Sequence, residues 1–172
     1  VLRDIASLVL SDALLVDVCS VKQEPIRLVR NYLPHTDLLA THPLFGPQSA
    51  KSGLRDHKLV VCDTGPRTAK ARLLLDLFVE EGLSIVEMSA PDHDREMARV
   101  QALTHFIARA VNDLDIGESA VGTKAYSHLL KMKRLLGGDS WELFETIQKG
   151  NPFAAEARRK FMEELENLER RI

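Results

Sequence analysis

The chain has 172 residues, with 23 Lys or Arg against 25 Asp or Glu, a formal net charge of −2. That balance leaves no basic footprint and no reason to expect nucleic-acid binding. At 45% hydrophobic and 28% charged, the composition is that of a folded globular chain, not a disordered one. No run approaches the ~18 apolar residues of a membrane span. Two cysteines, Cys19 and Cys62, cannot build a disulfide framework, so a reduced, cytoplasmic protein is expected.

In chain order, Val1 to Leu10 reads as the end of a helix, and Ala13 to Val18 as a short strand buried on both faces. Pro25 to Leu33 reads as a helix with proline near its first turn. Asp37 to Thr41 and Lys58 to Cys62 read as strands, the latter followed by an amphipathic helix over Arg67–Glu81 that Gly82 closes. Leu83 to Met88 is a fourth strand. Alternation at this spacing predicts an α/β domain with a largely parallel sheet over residues 1–89. From Pro91 onward the pattern is all-helical: one long helix to Leu114, then about Val121–Leu136, Ser140–Lys149 and Pro152–Ile172. The expectation is thus α/β followed by all-α, with a helical domain over 90–172.

An α/β sheet takes ligands at the carboxyl ends of its strands. The expected first strand is followed there by Cys19-Ser20-Val21-Lys22, and the second by His42-Pro43-Leu44-Phe45-Gly46-Pro47, with a turn at Gly46-Pro47. No G-x-G-x-x-G loop occurs, and the chain opens on Val1 in helix-like sequence. If the fold binds a dinucleotide, its first half is expected to lie upstream. His42 at a strand end suits proton transfer near neutral pH or a structural role. Ser20 reads as a partner for a neighbouring imidazole or as a helix cap. On a helical wheel, Asp94, Ala98, Gln101 and His105 form one polar stripe, a pocket wall or a solvated face. The histidines have no zinc-like spacing, so no metal is expected. Phe161, Leu165, Leu168 and Ile172 recur at helical spacing, as core or as a dimer seam.

Asp17…Ser20-Val21-Lys22, then His42-Pro43-Leu44-Phe45-Gly46-Pro47, then His93-Asp94…Gln101-Ala102-Leu103-Thr104-His105-Phe106, in this order, resemble the prephenate/arogenate dehydrogenases of tyrosine biosynthesis. The H-P-L-F-G-P form looks closer to the plant arogenate and enteric prephenate branches than to cyanobacterial forms. The resemblance implies the C-terminal part of a Rossmann-type sheet plus a helical dimerisation domain. The implied reaction is an oxidative decarboxylation dependent on NAD or NADP, in which a cyclohexadienol, prephenate or arogenate, gives a hydride to the nicotinamide, loses carbon dioxide and becomes aromatic. By the same resemblance His42 takes the ring-hydroxyl proton and Ser20 orients it. Ser20, Val21, Lys22 and Pro43 lie by the cofactor. His93, Gln101 and His105 line the substrate pocket, and Arg134 binds a substrate carboxylate. A homodimer through the C-terminal helices is implied, in the cytoplasm or in a plastid. Asp94 is weighed as a partner for the ammonium of arogenate. Two other readings compete: a β-hydroxyacid-type dehydrogenase, which would rely on a lysine base in a Lys-x-x-x-Asn arrangement not evident here, and a non-catalytic dimerisation or ligand-binding module.

Overall fold

The structure is a computed structural model that describes residues 1–46 and 49–172; Pro47, half of the expected Gly46–Pro47 turn, lies outside the described residues. The chain divides into two compact units, Val1–Asp94 and Arg95–Ile172.

The first unit holds a four-stranded sheet in the order β1 (Leu14–Asp17), β2 (Asp37–Pro43), β3 (Lys58–Cys62), β4 (Ser84–Met88). A single turn, α1 (Leu2–Ile5), precedes β1, which is shorter than the ten-residue helical end expected from Val1 to Leu10. β1 pairs parallel with β2, and β3 with β4, while β2 and β3 are antiparallel. The sheet is therefore largely parallel, as expected, but mixed, and the reason for its one antiparallel pairing is the connections. Helix α2 (Gln23–Tyr32) crosses between β1 and β2, and α3 (Ala69–Glu80) between β3 and β4. No helix is found among the described residues of 44–57, so the chain returns beside β2 in the opposite sense.

Because side chains alternate along a strand, β2 and β3 feed two cores. Leu38, Ala40, Val60 and Cys62 pack with Val29 and Leu33 of α2. Leu39, Leu59 and Val61 pack on the other face with Ala71 and Leu75 of α3. The same alternation puts His42 on the α2 face, with Leu38 and Ala40. Antiparallel pairing carries β2 beyond Thr41, where the sequence suggested it would end: His42 stands opposite Val60 and Pro43 opposite Leu59. His42 is thus held inside a central strand instead of in the loop beyond it.

Helix α3 is closed at Gly82 as expected, but it starts at Ala69 rather than Arg67. The Thr68 hydroxyl accepts from the Ala71 N–H at 3.3 Å. Gly82 adopts φ +92°, and the Gly82 and Leu83 N–H groups return to the carbonyls of Val79 and Phe78, a Schellman closure. A Cβ on Gly82 would meet the Arg55 backbone Cα at 3.0 Å. Gly82→Ala is therefore expected to destabilise the protein by more than about 1 kcal/mol; an unchanged urea midpoint would contradict this.

Past β4 the described residues are helical: α4 (Ala90–Met97), a π-turn at Ala98–Ala102, α5 (Leu103–Asn112), α6 (Lys124–Leu136), α7 (Trp141–Gly150) and α8 (Ala154–Glu169). The single helix expected over Pro91–Leu114 is interrupted because the Leu103 N–H reaches back five residues to the Ala98 carbonyl. The Ala102 carbonyl takes the Gln148 side-chain N–H at 2.7 Å. A widened turn shifts the helical phase of everything beyond it, so the continuous polar stripe expected from Asp94 to His105 does not hold. Ser140 caps α7, accepting from the Leu143 N–H. In the second unit Arg109 ties the segment between α6 and α7 to α5. It donates to the carbonyls of Gly137 (3.2 Å) and Asp139 (2.6 Å) and lies over the rings of Trp141 and Phe144.

Candidate active site

The polar residues of the first unit converge where β1, β2, α2 and the start of α4 meet. Asp17 ends β1, next to Ala40 across the parallel pair. Lys22 precedes α2 and is wholly buried. Its ammonium pairs with Asp17 and donates to the Thr41 carbonyl at 2.5 Å. The Thr41 hydroxyl in turn donates to the Asp17 carbonyl at 2.8 Å, and the Cys19 N–H to the Asp17 carboxylate at 2.9 Å. The buried ion pair thereby fastens the carboxyl ends of β1 and β2 together immediately before His42.

On the other side of His42, Nδ1 lies 2.9 Å from His93 Nε2, and His93 Nδ1 lies 2.8 Å from Asp94 Oδ1. The two rings meet edge to face, with centroids 5.1 Å apart. His93 and Asp94 have no solvent exposure, and His42 has 4%. Asp94 reaches the N-terminus of α2, accepting from the N–H groups of Lys22 (2.8 Å) and Gln23 (3.0 Å) and from the Gln23 side chain (3.2 Å). Helix α2 lacks a side-chain cap from its own N-cap residue, so a carboxylate 71 residues away in sequence fills that place.

The charges follow. Burial, then the neighbouring His93 ring and the Lys22 ammonium, drives the His42 pKa down to about 3, so its imidazole is neutral at neutral pH. Burial works to raise the Asp94 pKa, but the hydrogen bonds from His93 and the α2 backbone outweigh it and hold the carboxyl below its usual range. Burial and Asp17 push the Cys19 thiol up to about 11, which keeps it protonated and a poor nucleophile. A stability consequence follows for His42. Its folded pKa lies below the unfolded value of 6.5, so the unfolded chain binds the extra proton and stability falls as pH drops from about 6.5 toward 3. Urea unfolding at stepped pH should show this loss, and His42→Asn should remove part of the slope. A flat profile across that range would contradict it.

The sequence-derived site residues separate into three groups. His42 and His93 are brought together. Lys22 and Val21 are buried, and both the ammonium and the N–H of Lys22 are taken up internally. Lys22 is therefore a structural cation instead of the cofactor contact expected of it. Ser20 does not orient His42: that place on Nδ1 belongs to His93, and the Ser20 hydroxyl makes no hydrogen bond among the described residues. Asp94 cannot meet a substrate ammonium, because its oxygens are buried against α2 and His93. Nor does His93, which has no solvent exposure, line an open pocket as expected.

Gln101, His105 and Arg134 belong to the second unit. The Gln101 side-chain oxygen is buried with no hydrogen-bond partner among the described residues. His105 Nδ1 lies 3.4 Å from the Asp139 carboxylate, and burial lowers its pKa against that charge. Arg134 is exposed and pairs with Glu118 at 2.9 Å. The residues missed from sequence are Asp17 and Thr41 and the link from Asp94 to α2. The available signal was a buried His-Asp pair at the start of an amphipathic helix.

The family description "Prephenate dehydrogenase, nucleotide-binding domain" matches residues 1–87, and "TYRAAT1-like, C-terminal domain" matches residues 110–172. Arogenate dehydrogenase 1, chloroplastic, of Arabidopsis thaliana is 35% identical over 165 residues, which cover 92% of this chain and 26% of that protein. Arogenate dehydrogenase 2, chloroplastic, of the same plant is 39% identical over 149 residues, covering 83% and 42%. This chain therefore spans less than half the length of either relative. The crystal structure of prephenate dehydrogenase from A. aeolicus, in complex with hydroxyphenyl propionate and NAD+, superposes with a TM-score of 0.73 at 19% identity, covering 98% of this chain and 63% of that one. The Synechocystis arogenate dehydrogenase structure gives a TM-score of 0.66 at 17% identity, covering 97% and 64%. Both share the fold. With half of its length matched by the family's nucleotide-binding domain, the chain belongs to the prephenate dehydrogenase family.

Proposed function

We propose that this chain carries the catalytic base and part of the substrate site of an NAD(P)-dependent oxidative decarboxylation of prephenate or arogenate. The observation that carries the proposal is His42: a buried imidazole, fixed in a central strand and, among the described residues, held on one nitrogen. Among the described residues its Nε2 makes no hydrogen bond, which suits a group that accepts a proton. Substrate hydroxyl deprotonation by Nε2 accompanies departure of the hydride from the ring carbon, and loss of carbon dioxide makes the ring aromatic. That aromatisation supplies the driving force, so positioning and one proton transfer are the protein's main tasks.

The residues at the strand ends fit a nicotinamide in part. β1 and β2 run parallel, so their carboxyl ends lie side by side, where such sheets take ligands. Ser20 and Pro43 follow or close those strands, and the Ser20 hydroxyl is available. We assign these two positions and the backbone of the Cys19–Val21 loop to the cofactor, and exclude the side chain of Lys22. When bound, the nicotinamide accepts the hydride. In this reading His42 takes the proton, and Ser20 is assigned to hold the reacting hydroxyl.

For substrate binding we retain Gln101, whose unpartnered buried oxygen suits a ligand hydroxyl, together with His105. Arg134 is retained for a carboxylate, since its exposed pair with Glu118 is a weak competitor. We place the protein in the cytoplasm or a plastid; the chloroplastic plant relatives support the latter. A homodimer through α8 is supported by Met162, Leu165 and Leu168, which are 44–55% exposed along one helix. The wild-type protein should sediment as a dimer, and Leu165→Glu with Leu168→Glu as a monomer.

The test pairs prephenate or arogenate with NAD+ or NADP+ and follows carbon dioxide release with nucleotide reduction. Turnover with at least one pair is expected, and the ratio of kcat/KM values assigns substrate and nucleotide. No product from any of the four pairs would remove the proposal.

A further inference from the structure

The hydrogen-bond chain behind His42 has a direction, and elementary donor and acceptor counting gives it. Four donors converge on Asp94: the N–H groups of Lys22 and Gln23, the Gln23 side-chain amide and His93 Nδ1. An ionised carboxylate only accepts. Two of the four donors are backbone N–H groups at a helix N-terminus, which favour a negative charge and have no other role they can take. The carboxylate is thereby fixed as an acceptor, and His93 Nδ1 must carry a proton to meet it.

A neutral imidazole with a proton on Nδ1 has its lone pair on Nε2. His93 Nε2 faces His42 Nδ1 at 2.9 Å, so in the neutral pair His42 Nδ1 is the donor in that contact. The lone pair of neutral His42 is then on Nε2, the nitrogen left without a partner. His42, His93 and Asp94 are all buried, so water does not substitute for the bonds between them, and one wrong proton would leave two donors or two acceptors facing each other.

We propose that His93 and Asp94 are positioning residues that act through His42: the α2 N-terminus fixes Asp94 as a carboxylate, Asp94 fixes the ring of His93, and His93 fixes the ring and tautomer of His42 with the lone pair on Nε2. The proposal rests on reading His42 as the proton acceptor and replaces the expectation that His93 touches substrate. Orientation of a base by a carboxylate is the logic of hydrolase triads, here lengthened by one imidazole. The helix that the carboxylate caps also carries the Cys19–Lys22 loop at its start, so the base and the loop assigned to the cofactor share one anchor.

The test is long-range proton–nitrogen NMR of the histidines in the purified protein at neutral pH, with His93→Gln and His93→Phe alongside. In the wild type, His42 should show N–H character at Nδ1 and a bare Nε2, and His93 the same. A glutamine oxygen can accept where His93 Nε2 did, so His93→Gln should keep the His42 tautomer. His93→Phe fills the space without an acceptor and should leave His42 a mixture. Turnover should follow: kcat down by about tenfold or more in His93→Phe with KM little changed, and near wild type in His93→Gln. A proton on His42 Nε2 in the wild type, or equal loss in both variants, overturns the proposal. The NMR result needs no turnover. The expected tautomers without activity on any substrate pair would remove the proposed function and leave the relay standing.

Discussion

His42→Asn should lower kcat by about 10²- to 10⁴-fold, the usual contribution of a positioned acid or base, which corresponds to about 3–5 kcal/mol of transition-state stabilisation. Asparagine is the informative replacement. Its side-chain N–H can stand where His42 Nδ1 does and keep the bond to His93 Nε2, now 2.9 Å long. What disappears is Nε2. The buried network should stay satisfied, the strand pairing of residue 42 with Val60 should persist, and KM should change little. An effect on KM alone would mean that His42 only binds substrate. An unchanged kcat would remove it from the proton transfer.

Lys22→Met should destabilise the protein by about 3–5 kcal/mol, the cost of leaving one member of a buried ion pair without its partner. Lys22 has no exposure and Asp17 has 8%. Without the ammonium, the Asp17 carboxylate loses its buried counter-charge, and the Thr41 carbonyl loses its donor. Replacing both charges, Lys22→Met with Asp17→Leu, should recover much of the loss, because a buried pair and a well-packed apolar pair are often similar in stability. Urea unfolding of the two variants checks this. A single variant within about 1 kcal/mol of wild type would show that the pair does not hold the strand ends.

Much of the fold was legible because the relevant signals are local. Strand-length apolar runs gave β1, β3 and β4, and Gly82 marked the end of α3 through cap chemistry that depends on a few neighbours. The antiparallel β2–β3 pair was not, since it depends on there being no crossover helix among the described residues between 44 and 57. The π-turn was not, because a single extra residue in a helical turn leaves the residue types unchanged and is satisfied by Gln148, 46 positions away. At the site, His42 could be found from its place near a strand end. Its partner could not: Ser20 is near in sequence order and polar, whereas His93 is 51 residues distant and reaches His42 only once α4 is folded. Lys22 misled for a related reason. A lysine at a strand end reads as a ligand contact until the fold places Asp17 and the Thr41 carbonyl around it.

The central claim is that neutral His42 takes a proton while the substrate gives up a hydride. Substrate carrying deuterium at the hydride-donating carbon tests it most directly, with wild type and His42→Asn compared under single-turnover conditions. The account predicts deuterium in the reduced nicotinamide for both proteins, with the variant slower by about 10²- to 10⁴-fold. Deuterium appearing in solvent, or equal single-turnover rates for the two proteins, would contradict it.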